Sequence, residues 1–242
     1  MGGRGETRRY FFLHIPKTAG TALDLSLRQY HGDSVYPLPS NGALPPYREY
    51  ILAYIDVKRL EASFRRLPNQ IRVITGHFPL CIDEVLDTAL TTFTVLRDPV
   101  ERALSLLRRH KERNQNFADA TLDEVYEDPY IFHGTIHNFM VRVLSMTVPE
   151  MRTGAWTTLP YDEARLERAK QNLEHRIEVF GVQEDFDRFC EQLSLRFGWD
   201  LGNIASVNLS APVEASDALR QRIARDNAFD VELYRFAKEL SG

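Results

Sequence analysis

The sequence predicts an α/β domain with a mostly parallel central sheet and helices on both faces. Two observations support this: apolar, β-branched runs of strand length recur along the chain, and longer helical stretches separate them. Strands of parallel sheets are buried on both faces, so they have continuous apolar sequences. Because such sheets bind ligands beyond the carboxyl ends of their strands, the turns after the strands are the candidate sites.

Length and charge are those of one ordinary soluble domain. At 242 residues the chain is long enough for one α/β domain with a substantial core, or for two small domains. We expect residues 1–9 to form a flexible N-terminus and residues 10–242 to form a single domain. The net charge of −4 favours neither nucleic acid nor an acidic membrane as a partner. Any anion site must therefore be a local concentration of donors.

Cysteine usage and hydropathy indicate the compartment. Cys81 and Cys190 lie far apart without metal-ligand spacing, as is typical of reduced thiols. The polar N-terminus has no secretory apolar region, and no stretch reaches membrane-spanning length. We expect a cytoplasmic protein, although an excised lumenal domain would have the same features.

The first strand and its following turn, residues 10–22, are the most informative stretch. A large apolar run passes through Pro16 and a small-residue turn into a helix, which directs several backbone N–H groups at one spot. Gly20 allows close approach to the backbone, Lys17 adds a positive charge, and Thr18 and Thr21 add hydroxyl groups. This combination favours an anion such as a phosphate or sulfonate.

A plainer interpretation of this stretch stays open. It could be an ordinary strand–helix turn whose lysine is solvated. It also lacks the Gly-x-x-x-x-Gly-Lys-Ser/Thr pattern of nucleoside triphosphate sites, because Lys17 precedes Gly20 and directly follows a proline.

The remaining elements follow the same alternation. Further strands are predicted at residues 71–75, 92–96 and 178–182, and long irregular connections at residues 31–47 and 198–212. Asp98 as N-cap and Pro99 at the first helical position mark the start of a helix that ends near Arg113. Other helices are predicted at 57–67, 82–89, 121–127, 135–145, 161–175 and 186–197, with two closing segments through Leu240.

Arg97 and Ser105 form a second candidate anion site. Arg97 follows a strand, and Ser105 lies two turns along the next helix, where both could hold another phosphate. Alternatively, Arg97 pairs with a carboxylate and Ser105 is a small packing residue. Arg102 could join this site or hold its helix to a neighbour. The basic run 108–111 could contact an acidic substrate, or be a solvated helix end.

His77 is a candidate general base. It follows Gly76 at the end of a predicted buried strand, and an ordinary histidine pKa of roughly 6.5 suits proton abstraction near neutrality. A purely structural role stays open for such a lone histidine. His14 precedes the lysine-bearing turn, and we expect it to orient that turn. No pair of histidines has convincing zinc-ligand spacing.

Several of these motifs resemble the sulfotransferase superfamily. Residues 14–21, His-Ile-Pro-Lys-Thr-Ala-Gly-Thr, resemble its 5′-phosphosulfate loop, and residues 95–105 resemble its 3′-phosphate motif, including the spacing from Arg97 to Ser105. Thr75-Gly76-His77 is similar to the Gly-His segment of the heparan sulfate 2-O-sulfotransferase branch, whose histidine is the catalytic base. Residues 180–186 and 233–237 also resemble late segments of that branch.

The resemblance implies a P-loop-type three-layer fold and a function. The donor would be 3′-phosphoadenylyl sulfate (PAPS), the product 3′,5′-adenosine bisphosphate (PAP), and no metal would be needed. Arg97 and Ser105 would hold the 3′-phosphate, and His77 would take a proton from a saccharide or small-metabolite hydroxyl. Lys17 would stabilise the leaving phosphate. The residues implied to hold the 5′-phosphosulfate are Pro16, Lys17, Thr18, Ala19, Gly20, Thr21 and Ala22, while Asn208 and Ser210 match a segment that covers the nucleotide.

Two other functions stay open from the sequence. One is a P-loop kinase, against which the missing triphosphate-binding pattern argues. The other is a non-catalytic module that binds a nucleotide or phosphorylated ligand. The resemblance leaves the acceptor open, because residues 31–47 have no recognisable counterpart in that branch. The oligomeric state is equally open.

Overall fold

A five-stranded parallel sheet forms the centre of the molecule. The computed structural model describes residues 8–39, 47–154, 158–202 and 214–241. Its strands, all paired in parallel, lie in the order β2-β3-β1-β4-β5. In chain order these are β1 Tyr10–Leu13, β2 Val35–Tyr36, β3 Val73–Gly76, β4 Thr91–Leu96 and β5 Ile177–Val182. The predicted α/β class with a parallel central sheet is confirmed.

Helices cover both faces of this sheet. The described helices are α1 Gly20–His31, α2 Tyr47–Ile55, α3 Val57–Arg66, α4 Ile82–Leu86, α5 Pro99–Arg113, α6 Leu122–Glu127, α7 Pro129–Ile131, α8 Phe139–Ser145, α9 Val148–Arg152, α10 Glu163–His175, α11 Phe186–Phe197, α12 Asp217–Asp226 and α13 Ala228–Ser241. Among them, none has the length and apolar character that crossing a bilayer requires.

Alternate side chains of β1 enter two separate cores. Phe11 and Leu13 pack on one face with residues of α3, α8, α10 and α13. Phe12 packs on the other face with Leu23 of α1 and Phe189 of α11. Each fully buried side chain of this size contributes about 1.5–3 kcal/mol of transfer free energy. The two cores hold β1 in the middle layer of three, between the helices on either face of the sheet. They thereby fix the direction in which the turn after β1 leaves the sheet.

The predicted irregular connection over residues 31–47 is wrong in part. Val35 and Tyr36 form β2 at the sheet edge, and Arg28 donates to the carbonyl oxygens of Val35 at 3.3 Å and Pro37 at 3.0 Å. Two residues are too few for a periodic signal, so this strand depends on tertiary contacts that the local sequence does not reveal. Residues 40–46 lie outside the described part of the chain, as do residues 1–7 of the predicted flexible N-terminus.

The single helix predicted over residues 135–145 is also wrong. A π-helical turn spans Phe132–Ile136, and α8 begins only after Asn138, whose φ is +42°. The backbone N–H of Asn138 donates to Oδ1 of Asn227 at 2.9 Å, and the N–H of Asp230 donates to Oδ1 of Asn138 at 3.1 Å. These distant partners stabilise the left-handed conformation, so tertiary contacts override the local helical pattern.

The N-terminus of α5 agrees with its predicted capping. Asp98 accepts hydrogen bonds through Oδ1 from the N–H groups of Val100 and Glu101, both at 3.0 Å, and Pro99 occupies the first turn. This cap satisfies two of the N–H groups that have no acceptor within the helix. It also fixes where α5 begins relative to Arg97, one residue before the cap.

We expect Asp98→Ala to lower the free energy of unfolding by about 1 kcal/mol, because two amides lose their acceptor. Urea unfolding followed by circular dichroism measures this change. Asp98→Asn keeps a side-chain oxygen in the same place and should retain most of the stability. Equal stability of the Asp98→Ala variant and the unaltered protein would contradict the capping role.

Candidate active site

The carboxyl ends of β1 and β4 bring the two predicted anion-binding turns together. The strands are neighbours, with Leu13 paired to Thr94, whose Oγ1 donates to the carbonyl oxygen of Leu13 at 2.7 Å. Beyond them, Nη1 of Arg97 donates to the carbonyl oxygen of Lys17 at 3.0 Å. The lysine-bearing turn and the arginine-bearing turn therefore form one continuous surface.

The turn between β1 and α1 has the backbone shape of an anion-binding concavity. Lys17 and Ala19 adopt left-handed conformations, with φ values of +71° and +66°. Thr18, between them, is buried and donates from Oγ1 to the carbonyl oxygen of Ile15 at 2.8 Å, which fastens the turn. The N–H groups of Lys17, Thr18 and Ala19 donate to no other described group. Such a run of amides before a helix N-terminus binds anions.

This turn faces one side of α5 across a cavity of about 270 Å³. On α5, Ser105, Arg109 and Arg113 are four residues apart in sequence and therefore share one helix face. Leu96 and Val182 are paired, so the residues that follow them, Arg97 and Gln183, leave the sheet at the same edge. Gln183 therefore lines the cavity from the end of β5. The lining residues are His14, Lys17, Ala19, Gly20, Thr21, Arg97, Ser105, Arg109, Arg113 and Gln183.

Three polar atoms in this lining are buried without a hydrogen-bond partner among the described residues. They are Nδ1 of His14, Oγ of Ser105 and Oε1 of Gln183, on residues that are 8%, 2% and 9% exposed. An unsatisfied buried polar group costs about 1–3 kcal/mol, so its persistence in a cavity lined by cations points to a ligand that completes the bonding.

Positive charge is concentrated around the cavity although the whole chain is acidic. Burial lowers the pKa of Lys17 from its usual value, and Arg109, Arg108 and Arg97 lower it further. Burial likewise lowers the pKa of Arg97. Glu112 and Glu101 partly offset these effects on Lys17 and Arg97, but each also pairs with a further arginine, Arg108 at 3.4 Å and Arg220 at 2.6 Å. A bound anion would relieve the mutual repulsion of the cations.

His77 has one defined tautomer and a free nitrogen. Its Nδ1 lies 2.5 Å from the carbonyl oxygen of His14; a carbonyl can only accept, so Nδ1 carries the proton and donates it. The neutral ring therefore presents the lone pair of Nε2, which forms no hydrogen bond with a described residue. Burial lowers the pKa of His77, and the bond to His14 and the charge of Asp24 partly offset this effect. The ring is thus in its basic form at neutral pH.

His77 is next to the cavity but not part of its lining. The His14 ring lines the cavity, and the ring centroids of His14 and His77 are 4.8 Å apart. Burial and the neighbouring His77 hold the pKa of His14 well below its usual range, and Nδ1 of His14 is buried without a partner in the described part of the chain. His14 thus links the candidate anion-binding turn to the candidate base.

The structure brings together most of the predicted site residues. Lys17, Ala19, Gly20 and Thr21 line the cavity with Arg97 and Ser105, whereas Pro16, Thr18 and Ala22 belong to the same turn and helix start without lining it. Arg102 is a structural residue: it is buried and donates to the carbonyl oxygens of Thr135 and Ile136 at 3.0 and 2.9 Å. Asn208 and Ser210 lie outside the described residues.

Arg113 and Gln183 line the cavity without having been predicted to do so, and Arg109 was predicted only as part of the basic run 108–111. The four-residue spacing from Ser105 could have assigned the two arginines to the face that carries it. Gln183 could be found only from the register between β4 and β5, which the sequence does not contain. Within the described ranges, no three histidine, cysteine or acidic side chains are grouped closely enough to hold a metal ion.

Similarity to known proteins is found at the level of structure, where six solved chains match. No protein-family model matches the chain, and no curated protein sequence matches it. The fold is similar to the crystal structure of a sulfotransferase from Alicyclobacillus acidocaldarius, with 18% sequence identity and a TM-score of 0.48. The similarity covers 93% of this chain and 94% of that one.

We expect Gly20→Ala to weaken the binding of inorganic pyrophosphate by at least about tenfold, because the added methyl group would displace the ring of His14 that packs against the turn. A Cβ at residue 20 would lie 2.2 Å from Nε2 of His14, far inside contact distance. Isothermal titration calorimetry at low salt measures the affinity.

Gly134→Ala is the matched control for this substitution. A Cβ at Gly134 meets nothing within 4 Å, so that variant should bind pyrophosphate as the unaltered protein does. Unchanged affinity in the Gly20→Ala variant would show that the turn is not the anion site.

Proposed function

We propose that this protein is a sulfotransferase that moves a sulfonyl group from PAPS to a hydroxyl group of a saccharide or small metabolite. The observation that carries the proposal is the convergence of the two candidate anion-binding elements on one cavity. The turn around Lys17 offers backbone amides without a described acceptor beside a cation, and α5 offers the hydroxyl of Ser105, which has no partner among the described residues and lines the same cavity as Arg97 and Arg109. PAPS carries anionic groups at both ends of its ribose, which matches two such elements.

Each element has a distinct role in the proposed reaction. The amides of residues 17–21 and the Lys17 ammonium group hold the 5′-phosphosulfate, and Arg97 and Ser105 hold the 3′-phosphate. As the bond between sulfur and the phosphate oxygen breaks, negative charge grows on that oxygen. Preorganised N–H groups and a partly desolvated lysine stabilise this charge, and stabilisation of this kind commonly accounts for most of an enzyme's rate enhancement.

His77 is the proposed general base. Its neutral Nε2 takes the proton of the acceptor hydroxyl while the oxygen attacks sulfur, and PAP leaves with the bridging oxygen. The hydrogen bond from Nδ1 to the His14 carbonyl holds the required tautomer. The Gly76-His77 pair favours a relationship to the heparan sulfate 2-O-sulfotransferase branch. The free cysteines Cys81 and Cys190 favour a cytoplasmic location.

PAP should bind without magnesium and at least about 100-fold more tightly than adenosine 5′-monophosphate, because only PAP carries the 3′-phosphate. Ser105→Ala should reduce this ratio by about tenfold while affinity for the monophosphate stays unchanged. Calorimetry with both nucleotides in the presence of a chelator measures the ratio.

Ser194→Ala, on α11 away from the cavity lining, is the control for this measurement. It should leave both affinities unchanged. Equal binding of PAP and the monophosphate by the unaltered protein would overturn the assignment of the second anion site, and magnesium-dependent turnover of ATP would favour a kinase instead.

His77→Gln should slow sulfonyl transfer by about 10²–10⁴-fold and leave PAP affinity within about twofold, because it removes only the proton acceptor. In the unaltered protein, kcat/KM should decrease as the pH is lowered, and the decrease should occur below pH 6.5, the ordinary pKa of histidine, since burial lowers the pKa of His77. The ring stays neutral until the pH drops through that lowered value, and protonation then removes the base.

Transfer of labelled sulfate from PAPS to a panel of saccharides and hydroxylated metabolites, followed by mass spectrometry, measures both effects. His175→Gln, which changes an exposed histidine at the end of α10, is the matched control and should retain full activity. Tight PAP binding without transfer to any acceptor would favour the non-catalytic nucleotide-binding module.

A further inference from the structure

A chain of buried hydrogen bonds connects α1 to the strand that carries the proposed base. Asp24, in the first turns of α1, is 4% exposed. Its Oδ1 accepts from Oγ1 of Thr75 at 2.6 Å, and its Oδ2 accepts from the hydroxyl of Tyr50 at 2.8 Å and from Nε of Arg28 at 3.0 Å. Thr75 lies on β3, two residues before His77, so one carboxylate connects α1, α2 and β3.

The direction of each hydrogen bond in this chain is determined. Thr75 has one hydroxyl proton, which it donates to the carboxylate of Asp24. The hydroxyl of Tyr54 is 2.6 Å from Oγ1 of Thr75, so at this contact Tyr54 donates and Thr75 accepts. Both hydroxyl groups are buried, and the chain runs from Tyr54 through Thr75 to a charged acceptor. Charge-assisted bonds of this kind are stronger than neutral ones.

Tyr54 contacts His77 through both its backbone and its ring. The N–H of His77 donates to the carbonyl oxygen of Tyr54 at 2.8 Å, and the ring centroids are 5.2 Å apart at an interplanar angle of 75°. The centroid of the His14 ring lies 4.8 Å from that of His77 and 5.7 Å from that of Tyr54, and the His14 carbonyl accepts from Nδ1 of His77. The three rings therefore pack against one another, and Tyr54 and His14 both contact the imidazole.

The ionisable groups around His77 come from each neighbouring element. Burial lowers the pKa of His14, which follows β1, and so keeps it neutral. Burial raises the pKa of Tyr54 on α2. Asp24 on α1 is the carboxylate that attracts a positively charged imidazole. Tyr50 and Arg28 form hydrogen bonds with Asp24 and are connected to His77 through that residue. When the ring gains a proton, Asp24 is thus the negative charge among these groups that stabilises it.

We propose that Tyr54 is the positioning residue of His77, and that Tyr54 is itself held in place by its hydrogen bond to Thr75, which is bonded to Asp24. Asp24 also stabilises the imidazolium that forms when His77 takes the proton of the acceptor hydroxyl. This inference rests on the proposed function for its kinetic consequence. Its structural part concerns the tautomer and titration of one imidazole, which can be measured without any turnover.

The first test compares Thr75→Val with Thr75→Ser. Valine has the shape of threonine without the hydroxyl, so the chain is broken, whereas serine keeps it. In the valine variant we expect kcat to fall by about 10- to 100-fold, with KM for PAPS and PAP affinity within about twofold. The serine variant should restore most of the lost kcat. Tyr126→Phe removes another buried hydroxyl that donates to a carboxylate, Asp226 at 3.0 Å, and should leave kcat unchanged.

The second test follows the imidazole of His77 by ¹⁵N NMR as a function of pH. The unaltered protein should show the Nδ1-protonated tautomer, and Thr75→Val should add a measurable fraction of the Nε2-protonated form. Asp24→Asn should move the His77 titration to lower pH, since the attracting charge is removed. The acid limb of kcat/KM should move in the same direction. If Asp24→Asn does not fold, Tyr54→Phe, which removes only the terminal donor, is the second variant, and it should also add a measurable fraction of the Nε2-protonated form.

The outcomes separate this inference from the proposed function. A wild-type tautomer and titration of His77 in both Thr75→Val and the second variant would overturn the positioning role, whatever their activity. A changed tautomer in a protein that transfers no sulfonyl group would support the positioning role and refute the proposed function. A loss of kcat that Thr75→Ser fails to restore would indicate a packing defect and would also overturn it.

Discussion

The cavity depends on holding Lys17, Arg97 and Arg109 together at the ends of β1 and β4. These cations repel one another in a partly desolvated space, and two acids that attract them are paired with other arginines. Such an arrangement destabilises the fold unless surrounding contacts fix it. The hydrogen bond from Arg97 to the Lys17 carbonyl is one of these contacts, since it ties a cation to the backbone of the turn. The site thus stores electrostatic free energy that an anion releases on binding.

The local pattern of the sequence was sufficient for the main elements of the fold. Continuous apolar runs predicted β1, β3, β4 and β5, and the Asp98-Pro99 pair predicted the start of α5, because these signals lie within a few neighbouring residues. The two-residue strand β2 and the break at Asn138 could not be predicted in this way. Both depend on partners outside the element itself, Arg28 for the first and Asn227 for the second.

The candidate site shows the same division. The turn of residues 14–21 and the pair Arg97 and Ser105 could be selected because their residue types and spacing carry the chemistry. Gln183 could not, because its position follows from the register of β4 against β5. The environment of His77 was equally hidden: a single histidine after a glycine says nothing about the His14 carbonyl, which fixes its tautomer, or about the Tyr54 ring beside it.

One short segment, residues 14–24, serves both halves of the proposed chemistry. Its backbone amides form the anion-binding turn, the His14 carbonyl orients the base, and the Asp24 carboxylate anchors the chain of hydroxyl groups that reaches Tyr54. Gly20 packs against the His14 ring, so a larger side chain at residue 20 would press on the residue whose carbonyl oxygen accepts from His77. The proposed anion site and the proposed base therefore share His14.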